Sequence, residues 1–269
     1  MKNILLLAHA DNGQFARLQA SLALVRALDG HLTCLDLAIV PERMTDYVAH
    51  GSGTLLLLDE QRQESQHAAR LRAQLETEKV PFDFVETVGF VTQTIEAHAV
   101  LADLIVVSTT LREGFPDMER ITADLLAWGQ RPVLAVPEVS GPFEAQGGNV
   151  LVAWDGSPDA EAALGAAIPL LQRAGKVTIA VAEDGSVQLP PEDAALYLSR
   201  HGIVPIVEKV RTGGDRASVV LEDLIGHMKP AFVVMGGFSR TRTSETLFGG
   251  VSHRLMTHSK VPLFMAHRP

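Results

Sequence analysis

One stretch of this 269-residue chain holds the residue types that an anion needs. Met235, Gly236 and Gly237 close a short apolar run, and a polar loop with Ser239, Arg240 and Arg242 follows. A second glycine pair, Gly249 and Gly250, then opens onto Val251 and Ser252 at the start of a run with helical spacing. A helix that begins there leaves backbone N–H groups without intrahelical acceptors and presents the positive end of its dipole. Glycines let an anion's oxygens come close to the backbone. The arginines would add charge-assisted bonds, or serve only as solvated loop residues. A second candidate is Asp155, which ends another apolar run just before Gly156, Ser157 and Pro158. It reads either as a ligand contact or as a turn residue leading into the proline.

The motifs of several enzyme classes are missing. No G-x-G-x-x-G follows a strand, no G-x-x-x-x-G-K-[ST] occurs, and no G-x-S-x-G elbow occurs. His253 and His258 share a helical run but point roughly 140° apart around it, which makes a poor metal pair. No metal site is expected. The scattered histidines read as surface residues, and the charges between Glu60 and Glu78 as a solvated helix face. His9 lies at the end of the first apolar run and reads as a hydrogen-bonded structural residue.

Short apolar runs and helix-period runs alternate along the chain. Runs at 4–8, 32–39, 82–88, 104–107 and 132–136 read as strands, separated by helical patterns that include a long charged one at 58–80. A segment rich in Pro and Gly follows, and the pattern begins again with strands at 150–154, 177–182, 203–210, 232–235 and 261–266. Strand–helix alternation implies parallel βαβ units. Asn3-Ile4-Leu5-Leu6 resembles Asn149-Val150-Leu151-Val152, and Gly30-His31-Leu32-Thr33 resembles Gly175-Lys176-Val177-Thr178. Ile105-Val106-Val107 pairs with Phe232-Val233-Val234, and Arg131-Pro132-Val133-Leu134 with Val261-Pro262-Leu263-Phe264. Four matches in one order indicate a tandem duplication. The expected division is a domain at 1–138, a linker at 139–148 and a domain at 149–269.

The net charge of −9 disfavours nucleic acid and anionic membrane as partners. A single cysteine, Cys34, allows no internal disulfide and suits a reducing cytoplasm. The opening apolar run is too short for a signal or a membrane span.

With these residues in view, the chain resembles the tandem universal stress proteins. Gly236 and Gly249 hold the first and third glycine positions of that family's nucleotide loop, while Ser239 and Gly250 depart from its second glycine and its following Ser/Thr. Residues 150–157 resemble its first strand, Gly214 to Val220 its glycine turn into a helix, and Val261 to His267 its last strand. The resemblance implies an α/β fold: two tandem open parallel five-stranded sheets with helices on both faces, of the adenine nucleotide alpha hydrolase-like type. It implies ATP with magnesium at Asp155, Gly236, Ser239, Arg240, Gly249, Gly250, Val251 and Ser252. It also implies pairing through the last strands, either between the two halves or in a homodimer. The first half keeps one glycine in the matching stretch 108–116 and has His9 at the aspartate position, so no nucleotide is expected there. The function implied is a non-catalytic stress-response protein. A ligand-free scaffold stays open. So does a weak ATP hydrolase, for which Glu245 is the one base near the loop.

Overall fold

The computed structural model describes residues 1–40, 53–111, 116–214, 216–237 and 250–268, with the side chains of 53–60 and 128 left aside. Ten strands form one sheet in the order β3-β2-β1-β4-β5-β10-β9-β6-β7-β8. The first half supplies β1 (Asn3–Ala8), β2 (His31–Ile39), β3 (Phe82–Gly89), β4 (Leu104–Ser108) and β5 (Val133–Val136). The second supplies β6 (Asn149–Ala153), β7 (Lys176–Glu183), β8 (Ile206–Arg211), β9 (Phe232–Gly236) and β10 (Leu263–Ala266). The helices are α1 (Gln14–Leu28), α2 (Gly53–Thr77), α3 (Val91–His98), α4 (Met118–Gly129), α5 (Pro158–Leu171), α6 (Pro191–Arg200), α7 (Ala217–Met228) and α8 (Gly250–His258).

Each half is a parallel five-stranded sheet of the same order, 3-2-1-4-5 and 8-7-6-9-10. Central strands such as β4 and β5 are buried at every residue, because helices cover both faces. The edge strands β3 and β8 carry Asp83, Glu86, Glu208 and Lys209 among their apolar residues and are only partly buried. Local signals fix the helix starts. The Ser157 hydroxyl accepts from the Ala160 N–H, Pro158 stands in the first turn and Asp159 and Glu161 follow it, so α5 begins with a cap and acidic residues at its positive end.

The two five-stranded sheets continue into each other. β5 and β10 pair antiparallel, with Phe264 opposite Leu134 and Met265 opposite Val133. Alternate side chains point to opposite faces, so each face has its own core, and each core runs through both halves. Leu6, Leu134, Val152 and Phe264 share one; Leu7, Val133, Leu151 and Met265 share the other. Further contacts cross the boundary on both sides. Arg173 Nε donates to the Ala27 carbonyl at 2.6 Å, and His253 Nδ1 meets Glu119 Oε1 at 2.8 Å. The connecting segment is anchored too: Phe143 is buried, with its ring 5.6 Å from that of Phe232.

The register refines the repeat. Asn3 pairs with His31 as Asn149 pairs with Lys176, and Ile105 sits beside Val133 as Val233 sits beside Leu263. Three of the sequence matches therefore hold residue for residue. The fourth is one residue out: Ile4 pairs with Leu104 and Val150 with Phe232, so Leu104, not Ile105, is the partner of Phe232 in the repeat. The apolar runs are too uniform there for sequence to set the register. The corrected register makes Ser108 the counterpart of Gly236.

Candidate functional site

In a sheet of this order, ligands sit beyond the carboxyl ends of the strands, where neighbouring strands send their chains in opposite directions. That place lies between β1 and β4 in the first half and between β6 and β9 in the second. The two crevices are built differently.

In the second half, Ala153 pairs with Met235, so Asp155 and Gly236 leave adjacent strands side by side. Asp155 is exposed, and its Oδ1 accepts from the Ser157 N–H at 2.9 Å. Gly156 adopts φ +70°, and a Cβ there would lie 2.0 Å from the Leu189 nitrogen. The β7–α6 connection therefore lies directly on this turn, tied by the Gln188 N–H to the Asp155 carbonyl at 2.7 Å and by Trp154 Nε1 to the Leu189 carbonyl at 3.0 Å. Gly236 has a packing reason to be glycine: a Cβ would come within 2.8 Å of the Ala160 nitrogen in the first turn of α5. Gly250 opens α8 and is exposed, and among the described residues no atom lies within 4 Å of where a Cβ would stand. Val251 is half-buried and Ser252 buried in the same first turn. Ser239, Arg240, Arg242, Glu245 and Gly249 lie outside the described residues.

A cavity of about 500 Å³ adjoins this crevice, lined by Trp154, Leu164, Leu189, Ala194 and Tyr197, with Arg268 at its rim. A larger one, about 790 Å³, lies at the opposite end of the sheet among Asn149, Pro230 and Pro262, which precede or begin strands. The smaller cavity is the better candidate, because it opens at the carboxyl ends.

In the first half, side chains fill the crevice. Arg17 of α1 is fully buried. Its guanidinium donates to Asp11 Oδ1 at 3.0 Å and Oδ2 at 2.9 Å, to Gln14 Oε1 at 2.8 Å and to the His9 carbonyl at 3.2 Å, and it also meets Ser108 Oγ. Gly13 leaves room for the Ser108 hydroxyl, since a Cβ there would lie 2.9 Å from it. The close approach of helix and strand is thus solved with glycine on the helix side here and on the strand side, at Gly236, in the second half. The β1 end is also occupied. Glu64 Oε1 accepts from the Ala10 N–H at 2.9 Å and lies 2.6 Å from His9 Nδ1.

Glu64 corrects the reading of residues 60–78 as a solvated face. It is 3% exposed, and it shares α2 with His67, which meets Asp36 Oδ1 at 2.9 Å. His67 is likewise not a surface histidine, whereas His9 is buried and hydrogen-bonded, as read from its place at the end of the first strand. Composition hid Glu64 and His67, because a charge-rich helix still turns one face inward. The signal available was spacing: Glu64 and His67 stand three apart, on one helical face.

Charge in this cluster is strongly coupled. Burial by itself would lower His67, but its bonds to Asp36 and Glu64 outweigh that and lift it to about 9. Burial would raise Glu64, yet His67, His9 and the Ala10 N–H bring it down to about 2. Burial raises Asp36, against the bond from His67. Burial, with Asp36 nearby, also raises the Cys34 thiol, which leaves it protonated and unreactive.

The signs define a pH window. The His67 contribution is complete below its ordinary value of 6.5 and is lost as pH rises through about 9. The Glu64 contribution is complete above 4.5 and is lost as pH falls toward 2. In chelator-containing buffer, the melting temperature is therefore expected to fall between pH 6.5 and pH 9 by more in the parent than in His67→Gln. Parallel pH profiles for the two proteins would contradict this.

Residues 148–267 match the Universal stress protein family, so the second half of the chain is a domain of that family. No curated protein matches the chain. Among solved structures, a universal stress protein from Archaeoglobus fulgidus DSM 4304 is similar over 99% of this chain and 98% of its own, with TM-score 0.73 and 14% identity. A Pseudomonas aeruginosa UCBPP-PA14 protein described as a universal stress protein is similar over 99% and 93%, with TM-score 0.62 and 16% identity. The cytoplasmic domain of a prokaryotic cation chloride cotransporter is similar over 98% and 95%, with TM-score 0.52 and 13% identity. At these identities the likeness is one of fold. Among the described residues, no helix is long and apolar enough to cross a membrane.

Proposed function

Because residues 148–267 are a universal stress protein domain and the first half repeats its strand order, we propose that the chain is a non-catalytic, cytoplasmic stress-response protein tuned by one small ligand, ATP with magnesium, in the second half. Asp155 and Gly236 stand at the crevice, and Gly249, Gly250, Val251 and Ser252 receive the phosphates at the start of α8, with Ser239 and Arg240 in the loop between. The first half is a structural partner that binds no nucleotide.

The contrast between the two crevices supports this reading. Arg17 and its acceptors fill the first. Asn3 and Asn149 hold the same register, and the same interval carries Arg17 onto Ala163, which offers no such group. In that half Gly250 opens α8 at an exposed position, and the start of a helix offers N–H groups and a dipole end that favour an anion by roughly 0.3–1 kcal/mol.

The test is a thermal shift with magnesium and ATP. Ligand at about 100 times its dissociation constant adds roughly 2.7 kcal/mol. At about 2 °C per kcal/mol for a chain of this size, the melting point should rise by roughly 5 °C. Gly249→Val should abolish the rise, since a branched side chain would block the phosphates. Asp155→Ala, at an exposed position, should weaken it without unfolding the protein. An unmoved melting curve in the parent would leave the scaffold reading in its place. The filled first crevice already fits that reading in one half of the molecule.

A further inference from the structure

We propose that the first half carries a binding site for one divalent transition-metal ion, of the zinc type, formed by Asp36 of β2 with Glu64 and His67 of α2. The three side chains come from two elements, yet their ligand atoms all lie within 4.8 Å of one another. His67 Nδ1 is 2.9 Å from Asp36 Oδ1 and 3.5 Å from Glu64 Oε2. Two ligands on a tetrahedral zinc at about 2.0–2.2 Å stand about 3.3–3.5 Å apart. The second separation already fits, and the first needs to open by a few tenths of an ångström.

Three features distinguish this cluster from a patch of acidic residues. First, Glu64 and His67 have the Glu-x-x-His spacing that places a carboxylate and an imidazole on one helical face toward one ion. Second, the Glu64 carboxylate is clamped by one oxygen only. Oε1 accepts from the Ala10 N–H and lies 2.6 Å from His9 Nδ1, which orients the group as an outer-shell partner does. Oε2 is buried in a residue only 3% exposed, and its nearest partner is His67 Nδ1 at 3.5 Å, an ion-pair separation too long for a well-formed hydrogen bond. A buried carboxylate oxygen met only by one long ion pair is under-satisfied, and a cation at bonding distance would satisfy it better. Third, once the ion displaces the proton from His67 Nδ1, two carboxylates and a neutral imidazole balance a divalent charge, and the mixed oxygen and nitrogen donors suit zinc better than calcium or magnesium. His67 is 18% exposed at its side chain, which leaves an entry route. An ion held there would bolt α2 to β2 beside the filled crevice. The site is independent of nucleotide binding in the other half.

The full chain, stripped with a chelator and desalted, should bind one Zn2+ per chain by calorimetry and melt at a higher temperature with it. Asp36→Asn, Glu64→Gln and His67→Gln should each weaken binding by at least about 100-fold, more than the loss expected for an outer-shell residue. His227→Ala, at an exposed histidine far along the chain, should leave the affinity unchanged. Glu64→Gln and His67→Gln keep side-chain shape, and circular dichroism of each confirms the fold. Co2+ gives a second readout: its visible d–d absorption should appear in the parent and be lost in His67→Gln. Absence of one-to-one binding, or binding and spectra unchanged in the three variants, would overturn the site and leave the cluster as an ion-paired triad.

Discussion

Replacing Arg17 with methionine is expected to destabilise the chain by about 3–5 kcal/mol, the loss typical when one partner of a buried ion pair is removed. At about 2 °C per kcal/mol this lowers the melting point by roughly 6–10 °C. Methionine keeps much of the apolar stem, so packing contributes little to the loss. The charge is what goes. Arg17 is fully buried, and the side chain of Asp11 is 3% exposed, so the carboxylate loses its partner without gaining water. Gln14 Oε1 and the His9 carbonyl lose a donor as well. The double variant Asp11→Asn with Arg17→Met should recover part of the loss, because it also removes the stranded charge. Denaturant melts of the four proteins of that cycle measure the coupling. A loss under about 1 kcal/mol would be the value for a solvent-exposed pair and would contradict the filled crevice.

Phe264→Ala is expected to cost about 3–5 kcal/mol, the range for a large aromatic removed from a packed core. The more informative result is where the loss is felt. Phe264 is fully buried in β10, opposite Leu134 of β5, within a core that runs from Leu6 to Val152. Both halves should therefore unfold together, and earlier, in the variant. Trp128 lies in the first half and Trp154 in the second, and they are the two tryptophans of the chain. Trp128→Phe and Trp154→Phe versions thus leave one fluorescent reporter in each half. Coincident transitions are expected in the parent and in Phe264→Ala. If only the second-half reporter shifted, the halves would be separate cooperative units joined by contact alone.

The charge-rich run near residue 70 and the apolar run near residue 150 show how unevenly the sequence could be read. The apolar strands were legible because a parallel strand covered on both faces must be apolar at nearly every position. The turn into Pro158 was legible at Asp155, while the cap on α5 turned out to be Ser157. The repeat was legible in order, and residue for residue at three strand pairs. At Ile105 it failed by one residue, since a run of similar apolar residues carries no register of its own. The glycine at 236 was visible, but its packing against α5 was not, because that contact joins chain segments far apart in sequence.

The sequence by itself determined the α/β class and the two-fold repetition. These follow from period, composition and local turn chemistry, which act over a few residues. Tertiary structure alone decided that the halves share two continuous cores, and that Arg17 closes the first crevice. It also brought Asp36 of β2 together with Glu64 and His67 of α2, a helix whose composition reads as solvated. Those outcomes depend on which face each helix turns inward and on the strand beside it. Burial then changes the chemistry: the same carboxylate that is a solvated charge on an exposed face becomes, next to β2, a group that must have a partner.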